Sequence, residues 1–153
     1  MDSKRILEVR RRWLRDWTPE SKLHLNVIFT TAPGTRAALE AASRLAEGLN
    51  ASLTIFATLA VPHRLPLDRP MVSPDHVRRQ ILSMLPGLAA ENYLRIEICV
   101  CRDQLVCLQH LLRAGSLVFL GGRASLLARW ERRLEKALRG LGHEVVFVRQ
   151  SGG

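Results

Sequence analysis

From residue 23 onward, the apolar positions of this chain alternate between two spacings. "LHLNVIFTT" (23–31) is an apolar, partly β-branched run and predicts a strand. "APGT" (32–35) predicts a turn, with Thr35 as the N-cap of the next helix. Ala38, Leu39, Ala42, Leu45, Ala46 and Leu49 then recur at intervals of three and four, the inner face of a buried helix. "ASLTIFATLAV" (51–61) predicts the second strand. The proline-bearing stretch 62–72 predicts a loop. Ser73 and Pro74 mark the start of another helix as N-cap and first helical position. Val77, Ile81 and Leu85 form its inner face, and Pro86–Gly87 end or bend it.

The third strand, "LRIEICVC" (94–101), alternates strictly. Leu94, Ile96, Ile98 and Val100 take one face; Arg95, Glu97, Cys99 and Cys101 take the other. Such alternation predicts a strand with one face only partly buried, at a sheet edge. Asp103 caps a short helix through Leu105, Leu108 and Leu112, closed by Gly115. "SLVFL" is uniformly apolar and predicts a central fourth strand. The last helix carries Leu127, Trp130, Leu134, Ala137 and Leu141 as its inner stripe, and "HEVVFV" is the fifth strand. Strand and helix alternate throughout. The expected architecture is therefore α/β, a Rossmann-like three-layer fold with right-handed crossovers and helices on both faces of a parallel sheet. Ligands in such folds sit beyond the C-terminal strand ends, at the point where strand order reverses. Here those ends are "TTAPGT" and "GGRAS".

Ahead of this domain (20–153), residues 1–19 form a basic extension. Ile6, Val9, Trp13 and Trp17 lie at helical spacing among arginines, which predicts a helix over 4–17. The formal net charge of the 153-residue chain is +9, a field that attracts nucleic acid, acidic lipid, nucleotides or acidic proteins. No apolar run reaches the ~20 residues of a membrane span, and the start lacks the apolar core of a signal peptide, so the expected setting is cytoplasmic. The chain has three cysteines, and that odd number argues against a disulfide framework. Cys99 and Cys101 share a strand face, and His110 follows Cys107 by three. The Cys-x-Cys spacing on a strand spreads its sulfurs, so the three read as structural and no metal is expected. No Ser-His-Asp or Cys-His signature is visible, and no catalytic residue is assigned.

At residues 23–150 the element order, length and loop placement resemble the universal stress protein family. "NVIFTTAPGTRAALEAASRLAEGLNASLTIFATL", "SLVFLGG" and "GHEVVFV" carry the likeness. It implies an adenine nucleotide alpha hydrolase-like sheet of five strands in order 3-2-1-4-5. It also implies a homodimer, often formed through the last strand. The nucleotide-binding branch of that family carries Gly, two residues, Gly, nine residues, Gly, then Ser or Thr, and an aspartate after the first strand. Gly121 matches the first glycine. Ala124 stands where the second belongs, and Leu134, Glu135 and Lys136 stand where the closing pair belongs. Thr30, Thr31 and Ala32 occupy the aspartate's region. Both halves of the usual ATP site are altered, and Glu131 or Glu135 would repel phosphates.

Two readings of the remaining positions stay open. In one, Thr30, Thr31, Gly121, Gly122, Arg123 and Ser125 hold a phosphate or nucleotide through backbone N–H groups, hydroxyls and Arg123. In the other, they are caps and tight-turn glycines. The expectation is a non-catalytic regulatory or interaction module, dimeric, without cofactor and without ATP bound in the family's usual way. The alternatives are a phosphate-ligand binder with an altered site, or a binder of nucleic acid or an acidic surface through the N-terminal helix.

Overall fold

In a computed structural model of the protein, the described residues are 8–13, 23–46, 49, 51–66, 72–86, 93–123 and 129–150. They form strands β1 (Glu8–Trp13), β2 (Leu23–Ile28), β3 (Ala51–Ala60), β4 (Tyr93–Cys101), β5 (Leu117–Gly122) and β6 (Glu144–Arg149). The helices are α1 (Ala32–Ala46), α2 (Pro74–Met84), α3 (Gln104–Leu111) and α4 (Arg129–Gly140). All six strands lie in one sheet, ordered β1-β4-β3-β2-β5-β6. The five strands β4-β3-β2-β5-β6 are parallel. Counted from the first expected strand, this is the order 3-2-1-4-5, and the α/β Rossmann-like arrangement is as expected.

The N-terminal segment differs. Residues 8–13 pair antiparallel with β4, from Glu8↔Val100 to Trp13↔Arg95, and form a strand rather than a helix. The rest of the helix expected over 4–17 lies outside the described residues. The reason is tertiary. An isolated helix of this length is marginal in water, whereas the outer edge of β4 offers a row of unpaired backbone groups. That pairing also removes β4 from the sheet edge, contrary to the expectation from its alternation.

The helices start and stop largely where local chemistry directs. Ser73 Oγ accepts from the Asp75 N–H at 3.2 Å, with Pro74 in the first turn of α2. An Asp103 oxygen accepts from the Leu105 and Val106 N–H groups at 3.0 and 3.1 Å. Gly115 takes φ +69°, a conformation L side chains rarely adopt. The "APGT" turn is instead the first turn of α1. Thr31 is its cap, accepting from the Gly34 N–H at 3.1 Å, and Thr35 lies inside the helix. A proline is tolerated in a helix's first turn because its missing donor has no partner there.

The two faces of the sheet pack differently. On one, Leu25, Val27, Leu53, Ile55, Leu94, Ile96 and Ile98 meet Ala38, Leu39, Ala42 and Ala46 of α1 and Val77 and Ile81 of α2. On the other, Ile28, Phe56, Val118 and Leu120 meet Leu108 of α3 and Leu134 and Leu138 of α4. Two expected inner stripes are shifted. Leu45 and Leu49 are exposed, because the face of α1 that meets the sheet carries Ala38, Leu39, Ala42 and Ala46. On α4 the inward positions are Glu131, Leu134 and Leu138, while Trp130 and Leu141 are exposed and Leu127 lies outside the described residues.

Candidate functional site

β2 and β5 are neighbours at the centre of the sheet. Their crossovers leave in opposite directions, β2 through α1 to β3 and β5 through α4 to β6. The strand-order reversal therefore falls between Thr30–Gly34 and Gly121–Arg123, where a ligand of this fold class is expected. The structure brings Thr30, Thr31, Gly121 and Gly122 together there. Arg123 is exposed beside them, and Ser125 lies outside the described residues.

The groups gathered at this point engage one another. The Thr30 hydroxyl donates to the Gly121 carbonyl at 2.8 Å. The Thr30 N–H donates to Thr35 Oγ1 at 3.0 Å, and Thr31 Oγ1 receives the Gly34 N–H. The Gly122 carbonyl accepts from the Gln150 N–H at 2.9 Å. Backbone meets backbone between Gly34 and Gly121. A Cβ on Gly121 would stand 1.8 Å from the Gly34 carbonyl oxygen, and one on Gly34 would stand 2.7 Å from the Gly121 oxygen. These glycines are needed because two chain segments touch.

Gly122 is crowded as well. A Cβ there would meet Glu131 Cγ at 3.0 Å and the Phe147 ring at 3.1 Å. Glu131 is buried. Glu135, one turn further along α4, is ion-paired, with Arg132 at 3.0 Å and with Arg139 at 2.8 Å. A carboxylate-bearing side chain packed over the glycine turn disfavours an anion there.

A polar cleft lies at the opposite, N-terminal, end of the same strands. It holds about 50 Å³ and is lined by His24, Asn26, Thr54, Phe56, Arg95, Leu111, Arg113 and Ser116. His24 Nδ1 lies 2.6 Å from Ser52 Oγ, and Asn26 Nδ2 donates to the Leu117 carbonyl at 3.0 Å. Burial, then the charges of Arg113 and Arg95, hold the His24 pKa below its ordinary value. Arg95 also pairs with the buried Glu97 at 3.6 Å. Sequence reading missed this cleft. Its one visible trace was the set of polar residues interrupting otherwise apolar strands, His24, Asn26, Thr54 and Arg95.

The cysteines also differ from expectation. Cys99 and Cys107 are joined as a disulfide, with Cα atoms 7.4 Å apart, and Cys101 is free and buried. The odd number of cysteines left a thiol over but did not prevent a pair, because the two-residue connection to α3 folds Cys107 back over β4. His110, the histidine three residues beyond Cys107, is exposed. Among the described residues no helix is long and apolar enough to cross a membrane. Comparison with known proteins gives no match: no family model, no curated protein and no solved structure aligns with the chain.

Proposed function

We propose that this chain is a non-catalytic regulatory or interaction module resembling the universal stress proteins, which does not take ATP in that family's usual way. The observation that supports the reading is the contact between Gly34 and Gly121, which fills the point of strand-order reversal with backbone. The buried Glu131 over Gly122 supports it further. The proposed partner is a second copy of the chain, joined through the last strand. β6 pairs with β5 on one side, and no described strand lies on its other side. Val146 on β6 is 40% exposed, and Leu141 in the turn before it is exposed too. Native mass spectrometry of the purified protein tests both parts. The expected result is a bare dimer that takes up no added ATP and that Val146→Arg converts to monomer. A nucleotide retained by the wild type overturns the first part, and an unchanged dimer in the variant overturns the second.

The polar cleft favours a second reading, a phosphate-ligand binder with a relocated site. Its lining holds the guanidinium groups of Arg113 and of Arg95, the latter paired with the buried Glu97. On this reading, inorganic phosphate shifts the His24 ring resonances in NMR spectra of the wild type but not of Arg113→Glu. The reading through a basic N-terminal helix loses its helix over residues 8–13, which are engaged with β4.

A further inference from the structure

The chain has three cysteines, and the fold gathers all of them. Cys99 and Cys101 alternate on β4 and so share a face. Only Arg102 and Asp103 separate β4 from α3, and Asp103 caps the helix, so α3 turns back along the strand it has just left. Cys107, in its first turn, lands over Cys99. All three sulfurs lie within 4.8 Å of one another, and their relative exposures are 0%, 3% and 1%. Leu111 packs against the group. Nearby polar groups are engaged elsewhere. The Arg102 guanidinium donates to the Pro62 and Leu65 carbonyls, and the Asp103 carboxylate accepts from the backbone of α3. No histidine or carboxylate among the described residues completes the cluster.

We propose that, with the Cys99–Cys107 bridge reduced, Cys99, Cys101 and Cys107 form a three-thiol site for a trivalent metalloid, taken up as arsenous or antimonous acid. Charge selects this class. Zinc bound by three thiolates leaves a net negative charge and lacks the fourth ligand it normally takes. A monovalent copper ion leaves two negative charges. Neither charge is favourable in a site this buried. Three thiolates on a trivalent centre make a neutral group, which a dry pocket accepts. Geometry agrees. A pyramidal trivalent centre with bonds of about 2.3 Å, the length typical of metal–thiolate bonds, holds its sulfurs roughly 3.4 Å apart, inside the 4.8 Å that encloses these three.

The chemistry balances without further reagents once the bridge is open. Opening it takes two electrons and two protons: a dithiol supplies both, whereas a phosphine supplies the electrons and becomes its oxide, with water giving the protons and the oxygen. Arsenous acid then exchanges three As–O bonds for three As–S bonds. Each thiol proton leaves with a hydroxide as water, and arsenic stays trivalent. The same cysteines serve the bridge and the metalloid, so oxidation to the disulfide excludes binding.

The test uses the full chain, reduced with a phosphine that is then removed, and titrated with sodium arsenite under nitrogen. Native mass spectrometry is expected to show one arsenic per chain, with the loss of three protons from the thiols. Cys101→Ser is expected to weaken binding at least tenfold. X-ray absorption at the arsenic edge of the wild type is expected to show three sulfur neighbours, a readout that needs no variant to fold. No arsenic on the folded, reduced wild type overturns the proposal. So does a centre with two sulfurs and one oxygen, or a folded Cys101→Ser that binds as tightly as the wild type.

Discussion

The two faces of the sheet are built from the same strands and differ in kind. The face under α1 and α2 is apolar from end to end, and its β4 positions are Leu94, Ile96, Ile98 and Val100. The face under α3 and α4 has an apolar centre at Ile28, Phe56, Val118 and Leu120, and chemistry around it. His24, Asn26, Thr54 and Arg95 line the cleft at one end, and Cys99 and Cys101 sit toward the other end of β4. The comparison teaches that burial and apolarity are separate properties. Glu97 and Cys99 are as buried as Ile96 and Ile98. The strict alternation of β4 therefore marks a division between a packing face and a face that carries polar and thiol groups.

The largest effect expected from this difference lies at the strand-order reversal. Gly121→Ala places a methyl group into the Gly34 carbonyl, and neither backbone segment can yield. Loss of soluble folded protein, or of more than about 3 kcal/mol in urea denaturation, is expected. Gly122→Ala meets the flexible Glu131 side chain instead, and about 1–3 kcal/mol is expected. Equal losses would show that the Gly34–Gly121 contact is not what closes this point.

Next come neighbouring strands on opposite faces. Ile55→Ala, fully buried on the packing face, is expected to cost about 2–5 kcal/mol in the same assay. Asn26→Ala, on the cleft face, loses its donation to the Leu117 carbonyl and is expected to cost about 1–2 kcal/mol. A larger cost at Asn26 would reverse the ranking of the two faces.

The smallest effect concerns acid. The His24 pKa is lowered in the folded protein, so the folded state binds the proton less readily than the unfolded chain. Stability is then full above the unfolded value of 6.5 and falls as pH drops through the lower folded-state pKa. Urea denaturation between pH 7.5 and 5 should show that fall in the wild type and a shallower one in His24→Gln. Identical slopes would remove His24 from the acid response.

Much of the fold was legible because its signals are local. Ser73–Pro74 and Asp103 cap α2 and α3 where their side chains direct; α3 closes at Leu112, and Gly115, expected to close it, turns the chain three residues further on. The alternating periods placed β2 to β6 in order. Mistakes arose where a local pattern had two tertiary solutions. Trp130 fits the spacing of an inner stripe as well as Glu131 does, until Gly122 leaves room for Glu131. The altered glycine motif indicated a changed turn, but not that the Gly34 and Gly121 backbones meet there. The cleft was less legible still, since His24, Thr54 and Arg95 are remote in sequence and each is unremarkable alone.

The sequence by itself determined the alternation of strand and helix, the parallel sheet and the helix caps. These depend on side-chain periodicity and on hydrogen bonds spanning a few residues. Only the tertiary structure decided that residues 8–13 extend the sheet, that Gly34 and Gly121 meet, and that three cysteines share one pocket. Each of those outcomes requires segments far apart in the chain, or a tight turn of the backbone, to arrive within a few ångströms. Spacing along the chain carries no record of that arrival, because it is the packing of the whole that sets it.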